Sequence, residues 1–256
     1  MRLPRCRARR RDAKLSAVRP WHRRAATSFS IALLGAVLAT APAAAQLGGS
    51  LTLSSQARLR GQQISGHRPA AELELVHDGA RGFYIGGSAV FVATREDGLQ
   101  ALSFRQYAGF AQRLSSATAI DVGIVHNGYT EYSAIAGGGS YTEAYVGITG
   151  RHLSARLFMS PGYFQKDEPT LYAELNGHFD LAPDWSLFAH AGRLTRLRSR
   201  PDGRDGDATD WRIGLRRRLG PVDLDAAWTG YVVDRARYGG RDGQDGALVI
   251  ALAFAF

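Results

Sequence analysis

The stretch Leu215-Arg216-Arg217-Arg218-Leu219-Gly220-Pro221-Val222-Asp223-Leu224-Asp225-Ala226-Ala227-Trp228 decides the fold class. After the turn, Val222, Leu224, Ala226 and Trp228 fall on one side and Asp223 and Asp225 on the other. A period of two marks an extended strand whose faces meet different surroundings. Gly220-Pro221 suits a two-residue turn, because glycine tolerates positive φ and proline presets the next φ. That register sets Arg218 opposite Asp223 and Arg216 opposite Asp225. Opposite charges directly across a ladder contribute roughly 0.2–1 kcal/mol each.

Working outward, the same alternation recurs in twelve runs: Ser50–Arg60, Ala70–Val76, Phe83–Val92, Leu102–Ala111, Ala119–Val125, Tyr141–Thr149, Leu153–Ser160, Thr170–Phe179, Trp185–Gly192, Trp211–Arg218, Val222–Tyr231 and Ala247–Phe256. No stretch after residue 46 sustains a helical period. Connections after odd-numbered runs are long and polar: 61–69, 93–101, 126–140, 161–169, 193–210 and 232–246. Those after even-numbered runs are mostly short: 77–82, 112–118, 150–152, 180–184 and 219–221. Such an alternation suits a meander with one end against a thin compartment and the other in open surroundings. The expected fold is all-β: a transmembrane antiparallel up-and-down β-barrel with about twelve strands.

A soluble sandwich or lipocalin-like barrel also alternates. Against it stand charges in mid-strand and apolar faces with no partner layer. The last run also places Ile250, Leu252, Phe254 and Phe256 on one face and ends at Phe256. An exposed apolar edge strand invites aggregation in water, whereas barrel closure removes the edge.

Charge points away from nucleic acid once it is located. Ten of the 32 Lys+Arg and one of the 23 Asp+Glu fall in residues 1–45, which leaves 22 of each in 46–256. The bulk of the chain therefore gives no field for a polyanion. The basic start precedes an apolar run from Phe29 to Thr40, then Pro42 and Ala43-Ala44-Ala45 before Gln46. That order is a secretory signal, expected to be cleaved after Ala45, and the run is too short to span a bilayer. The expected organisation is thus a signal peptide over 1–45 and one barrel domain over 46–256. Cleavage would remove Cys6, the only cysteine, and with it any thiolate chemistry or disulfide.

Several segments resemble a known family. Ser50-Leu51-Thr52-Leu53 with Arg58-Leu59-Arg60-Gly61 is similar to the opening strand of the TorF-family porins, the bacterial group labelled Gcw_chp. Further resemblance follows in order at Tyr107-Ala108-Gly109-Phe110, Asp121-Val122-Gly123, Tyr141 to Gly147, Ser160 to Phe164, Leu171 to Glu174, and Thr209 to Leu215. The resemblance implies an outer-membrane barrel of porin type with poorly defined substrates. The Arg-rich segment 193–204 and Arg216-Arg217-Arg218 depart from the family pattern. The terminal strand resembles the C-terminal assembly signal of outer-membrane proteins, at Ile250, Leu252, Phe254 and Phe256. It implies the barrel assembly machinery as a partner, engaged by strand addition.

With apolar residues assigned to lipid, parity sends the charged positions inward. The expected lumen-lining set is Arg58, Arg60, Arg105, Arg156, Arg212, Arg216 and Arg218 against Glu72, Glu74, Asp121, Glu143, Glu174, Asp223 and Asp225. Seven oppose seven, which suits a polar constriction that sorts small hydrophilic solutes by size and charge. The alternative is an internal salt-bridge network that plugs a structural or surface-recognition barrel, because small barrels fill their interiors. Arg193, Arg196, Arg198, Arg200 and Arg204 could meet lipopolysaccharide phosphates, although a solvated loop is the plainer reading.

A lipid hydrolase is a third possibility. His152-Leu153-Ser154 puts a base and a hydroxyl on one strand face, resembling the outer-membrane phospholipase arrangement. No orienting third group is evident nearby. His77, His126, His178 and His190 are too dispersed for a metal site. Gly137-Gly138-Gly139 opens no helix and so cradles no phosphate. Neither enzyme activity nor a cofactor is expected.

Overall fold

The computed structural model describes residues 46–135, 138–198, 206–234 and 243–256. The proposed signal peptide over 1–45 lies outside them. The described chain forms a closed barrel of twelve antiparallel strands and one small hairpin.

The strands are β1 (Gln46–Ser54), β4 (Ala70–Asp78), β5 (Phe83–Thr94), β6 (Gly98–Arg113), β7 (Ala119–Tyr129), β8 (Gly139–Thr149), β9 (Leu153–Ser160), β10 (Thr170–Ala182), β11 (Trp185–Arg196), β12 (Asp207–Leu219), β13 (Val222–Asp234) and β14 (Gly243–Ala255). The hairpin is β2 (Arg58–Leu59) and β3 (Gln62–Gln63). Each barrel strand after β4 pairs with its sequence neighbour. β1 closes the ring by pairing β4 on one side and β14 on the other. Closure leaves no unpaired edge, the condition for crossing a hydrocarbon layer with strands.

The outer wall is apolar. Leu51 and Leu53 of β1, Val122 and Ile124 of β7, Val146 and Ile148 of β8, Ile213 and Leu215 of β12, and Leu248, Ile250 and Leu252 of β14 all stand exposed. An apolar surface continuous around a barrel calls for lipid to cover it. Outward rings gather at the short-turn rim, where Phe83 meets Phe110 at 5.0 Å and Phe254 meets Phe256 at 5.9 Å. Aromatic rings favour the lipid–water boundary.

The β12–β13 hairpin has the register its sequence suggests. Leu219 pairs Val222, Arg218 pairs Asp223 and Arg216 pairs Asp225. Gly220 sits at φ 64°, the first position of a two-residue turn with a proline second.

Three expected segments differ. First, the run Ser50–Arg60 is not one strand. β1 ends at Ser54, and the chain leaves the wall to fold inward as β2–β3. Arg60 and Gly61 occupy its turn at φ 47° and 75°, the left-handed pair a tight hairpin requires. The alternation through Arg58 and Arg60 is real, but it belongs to a hairpin rather than to the wall.

Second, 93–101 is not a long connection. β5 and β6 continue past it, leaving only 95–97 as turn, with Thr94 paired to Gly98. The Asp97 amide donates to Thr94 Oγ1 at 3.0 Å and the Thr94 hydroxyl donates to the Gly98 carbonyl at 3.0 Å. Strands that outrun the apolar band carry polar residues, so they read as loop. Third, for the same reason, β11 and β12 run into 193–210. Arg193 and Arg196 are therefore strand residues, while Arg200 and Arg204 lie outside the described residues.

Inside the barrel, at the end carrying the long connections, a buried cluster unites the hairpin with the wall. Leu59 and Ile64 pack with Val92, Leu102, Tyr141, Tyr163, Tyr172 and Leu194. The apolar core of this protein is thus a plug in one half of the lumen.

Candidate functional site: a lumen divided by a hairpin

Inward faces of the strands enclose a cavity of about 1180 Å³. It reaches the short-turn rim, where Ala111, Ala119, Thr149 and Ala253 line it. A second cavity of about 260 Å³ lies toward the long connections, lined by Gln62, Ile135, Phe164, Glu168 and Arg196. Leu59, Arg60 and Asp210 line both. The β2–β3 hairpin is therefore the partition.

Of the expected lumen residues, Arg58, Arg60, Glu72, Glu74, Arg105, Asp121, Glu143, Arg156, Glu174, Arg212, Arg216 and Asp225 line the larger cavity. Arg218 and Asp223 do not. They sit beside the 220–221 turn at the rim, with Arg218 Nε 3.5 Å from Asp223 Oδ1 and the Arg218 side chain two-thirds exposed.

Most lumen charges are paired. Arg216 binds Asp225 through two nitrogens, at 2.7 and 2.8 Å, and Arg212 stands 3.8 Å from the same carboxylate. Arg156 donates to Asp121 at 3.1 Å. Arg58 lies 3.0 Å from Asp245, and Arg60 donates to Glu143 at 2.6 Å. Among the described residues, Glu72, Glu74 and Glu174 form no ion pair. Glu74 instead accepts from the Tyr107 hydroxyl at 2.9 Å, and Glu174 accepts from Asn176 at 3.3 Å. Arg105 donates to Asn127 at 3.2 Å.

Reading apolar residues as lipid-facing missed the inward aromatics. Tyr84, Tyr107, Tyr141, Tyr145, Phe158, Tyr172 and Phe188 all line the larger cavity. Parity held the signal, because Phe158 is two residues from Arg156 and Tyr141 two from Glu143. Asp210 was missed as well, and His190 entered only as a failed metal ligand. His190 Nε2 lies 2.8 Å from Asp210 Oδ1, and the Tyr172 hydroxyl donates to Asp210 Oδ2 at 3.1 Å.

Several of these rings lie flat against the wall because a glycine sits beneath. A methyl on Gly214 would come 2.5 Å from the Phe188 ring, and one on Gly192 would come 2.7 Å from the Tyr172 ring. Arg212 then stacks over Phe188 at 4.6 Å. Glycine here gives aromatic wall cover without filling the lumen.

His152 and Ser154 do not share a face. The His152 ring stacks at 5.7 Å on Phe179, which is exposed on the outer wall, and its Nδ1 is 3.3 Å from the His178 carbonyl. Ser154 has the inward parity of Arg156. No hydrogen bond joins the two among the described residues, because the turn at 150–152 breaks the alternation before His152.

The Arg-rich segment is also more engaged than a solvated loop. Arg193 lies 3.2 Å from Asp207, and Arg196 pairs with buried Glu168. These contacts tie β11 to β12 and to the 161–169 connection.

A closed twelve-strand wall, apolar outside and charged within, defines an antiparallel transmembrane β-barrel. The chain belongs to the family described as bacterial protein of unknown function (Gcw_chp), whose model matches residues 38–255. Among solved structures it is similar to the NanC porin, at 11% identity with a TM-score of 0.51, over 82% of this chain and 99% of that one. It is also similar to an outer membrane channel from Pseudomonas putida F1, at 13% identity with a TM-score of 0.50, over 85% and 97% of the two chains. At such identity the likeness shows the fold. The comparison with curated proteins found no match.

Proposed function

We propose that this protein is a channel of the bacterial outer membrane for passive diffusion of small hydrophilic solutes. The observation that carries the reading is the 1180 Å³ cavity inside a closed barrel, lined by paired charges and flat aromatic rings. Its support is physical: lipid covers the apolar wall, water fills a charged interior, and the passage sorts solutes at its narrowest point. The neighbours in fold are a porin and a channel, which favours transport over lipid hydrolysis. The TorF-type resemblance points the same way.

On this reading residues 1–45 direct export and are removed. The outward row Ile250, Leu252, Phe254 and Phe256 presents the terminal strand to the assembly machinery. Lipopolysaccharide contact at 193–204 would fall to Arg198 and the arginines beyond it, since Arg193 and Arg196 are engaged within the barrel.

Refolded protein added to a planar bilayer should give discrete conductance steps. A second reading, an occluded barrel, draws on the hairpin that divides the lumen. A folded, heat-modifiable barrel that never conducts would establish it instead.

A further inference from the structure

One side chain on the partition is held unlike any other. Arg60 Cζ lies 3.9 Å from the centre of the Tyr172 ring, 5.3 Å from Tyr163, 5.7 Å from Phe158 and 5.9 Å from Tyr141. Its Nη2 donates to Glu143, whose side chain is 2% exposed. Stacking over a single ring suffices for an ordinary cation–π contact. Four rings and a buried carboxylate around one guanidinium make a cage.

The cage belongs to the wall and its connections, whereas the cation belongs to the partition. Glu143 and Tyr141 are on β8, Phe158 on β9, Tyr172 on β10 and Tyr163 in the 161–169 connection. Burial pushes the Tyr163 phenol above its ordinary pKa, so it stays neutral. Arg60 arrives from the tip of a hairpin, at the left-handed φ of 47° that its two-residue turn requires.

The tip can leave without breaking the wall. β1 and β4 are already paired up to Ser54 and Ala70, and the hairpin is an excursion between them. Its base is anchored separately, by the Ala134 amide on the Ile64 carbonyl and by Arg68 on the Tyr132 carbonyl. Among the described residues the tip's other ion pair to the wall is buried Arg58 with half-exposed Asp245, and Leu59 beside it packs into the buried cluster.

We infer that Tyr141, Phe158, Tyr163, Tyr172 and Glu143 form a binding site for organic cations of the guanidinium class. Arg60 fills it in cis, and a competing cation releases the hairpin tip and joins the two cavities. The joining of the cavities rests on the channel reading above; occupancy of the cage does not. A tethered arm acts at an effective concentration in the millimolar range, so a free competitor should act at roughly millimolar to tens of millimolar.

The test reads the tip directly, apart from any current. Leu59 is buried on the hairpin, and the full chain with Cys6→Ser and Leu59→Cys carries one thiol. Its modification by a thiol-reactive sulfonate in lipid vesicles should accelerate about tenfold with methylguanidinium at tens of millimolar, and not with sodium at equal ionic strength. In the same background, Arg60→Asn keeps a residue that tolerates φ > 0 and should be fast without any cation. Arg60→Lys should stay slow. Heat-modifiable migration checks that each variant is folded.

No acceleration by methylguanidinium over sodium, or slow labelling in a folded Arg60→Asn, overturns the inference even where the channel conducts. Acceleration in a barrel that passes no current keeps the site and removes the channel.

Discussion

Arg216 on β12 and Asp225 on β13 meet side-on across the lumen wall, with Nε 2.7 Å from one carboxylate oxygen and Nη2 2.8 Å from the other. A guanidinium fits a carboxylate in this two-bond geometry better than an ammonium can. Asp225 is buried and has Arg212 at 3.8 Å as a second neighbour. Arg216→Glu would set two carboxylates against each other and should lower unfolding stability by about 2–5 kcal/mol. Adding Asp225→Arg should recover part of the loss, the remainder reflecting the new neighbour Arg212. Urea unfolding of the single and double variants in lipid measures both; equal damage from the two contradicts the pairing.

Gly214 should not tolerate a larger residue. A β-carbon there lies 2.5 Å from the Phe188 ring and 2.7 Å from the Ala226 carbonyl, so Gly214→Val must push the ring into the cavity. Overpacking of this kind costs typically about 1–3 kcal/mol, and the displaced ring should also reduce single-channel conductance. Gly128→Ala meets nothing within 4 Å and should be close to neutral in both measurements.

The two faces of the wall should respond oppositely to charge. Ile213 is half exposed at the middle of β12, and Val249 lines the cavity from β14. Ile213→Arg should destabilise the barrel by about 2–4 kcal/mol, the cost of a lipid-facing arginine at mid-depth, whereas Val249→Arg meets water and should cost less. Matched unfolding curves for the two variants would contradict the assignment of lipid and lumen.

Selectivity should lean mildly toward cations. Among the described residues Glu72, Glu74 and Glu174 line the cavity without an ion-pair partner against Arg105 on the basic side, while Arg156 and Arg216 are neutralised by Asp121 and Asp225. Reversal potentials under a salt gradient should show a weak cation preference. Glu72→Gln with Glu74→Gln should abolish or invert it, and an unchanged reversal potential would mean these carboxylates stand away from the ion path.

Much of the wall was legible because strand alternation is local. Val222 to Trp228 states its two faces without reference to the rest of the chain, and Gly220-Pro221 states its own turn. Charged lumen positions such as Glu143, Arg156 and Arg212 follow from the same parity. Polar strand ends did not announce themselves, since Thr94 to Gly98 and Arg193 to Arg196 carry loop-like residues on strands that outrun the apolar band.

The amino-acid order by itself determined that these segments are extended, which side of each is apolar, and that Arg216 faces Asp225, because all three depend on neighbours within one strand or one turn. Only the tertiary structure decided that the chain leaves the wall after Ser54 and that Arg60 reaches Glu143, 83 residues away. Alternation through Arg58 and Arg60 looks the same on a wall strand and on an inward hairpin. Tyrosine suits lipid boundary and lumen alike. The difference lies in which rings and carboxylates closure of the barrel brings around one guanidinium, a relation between distant segments that no local period encodes.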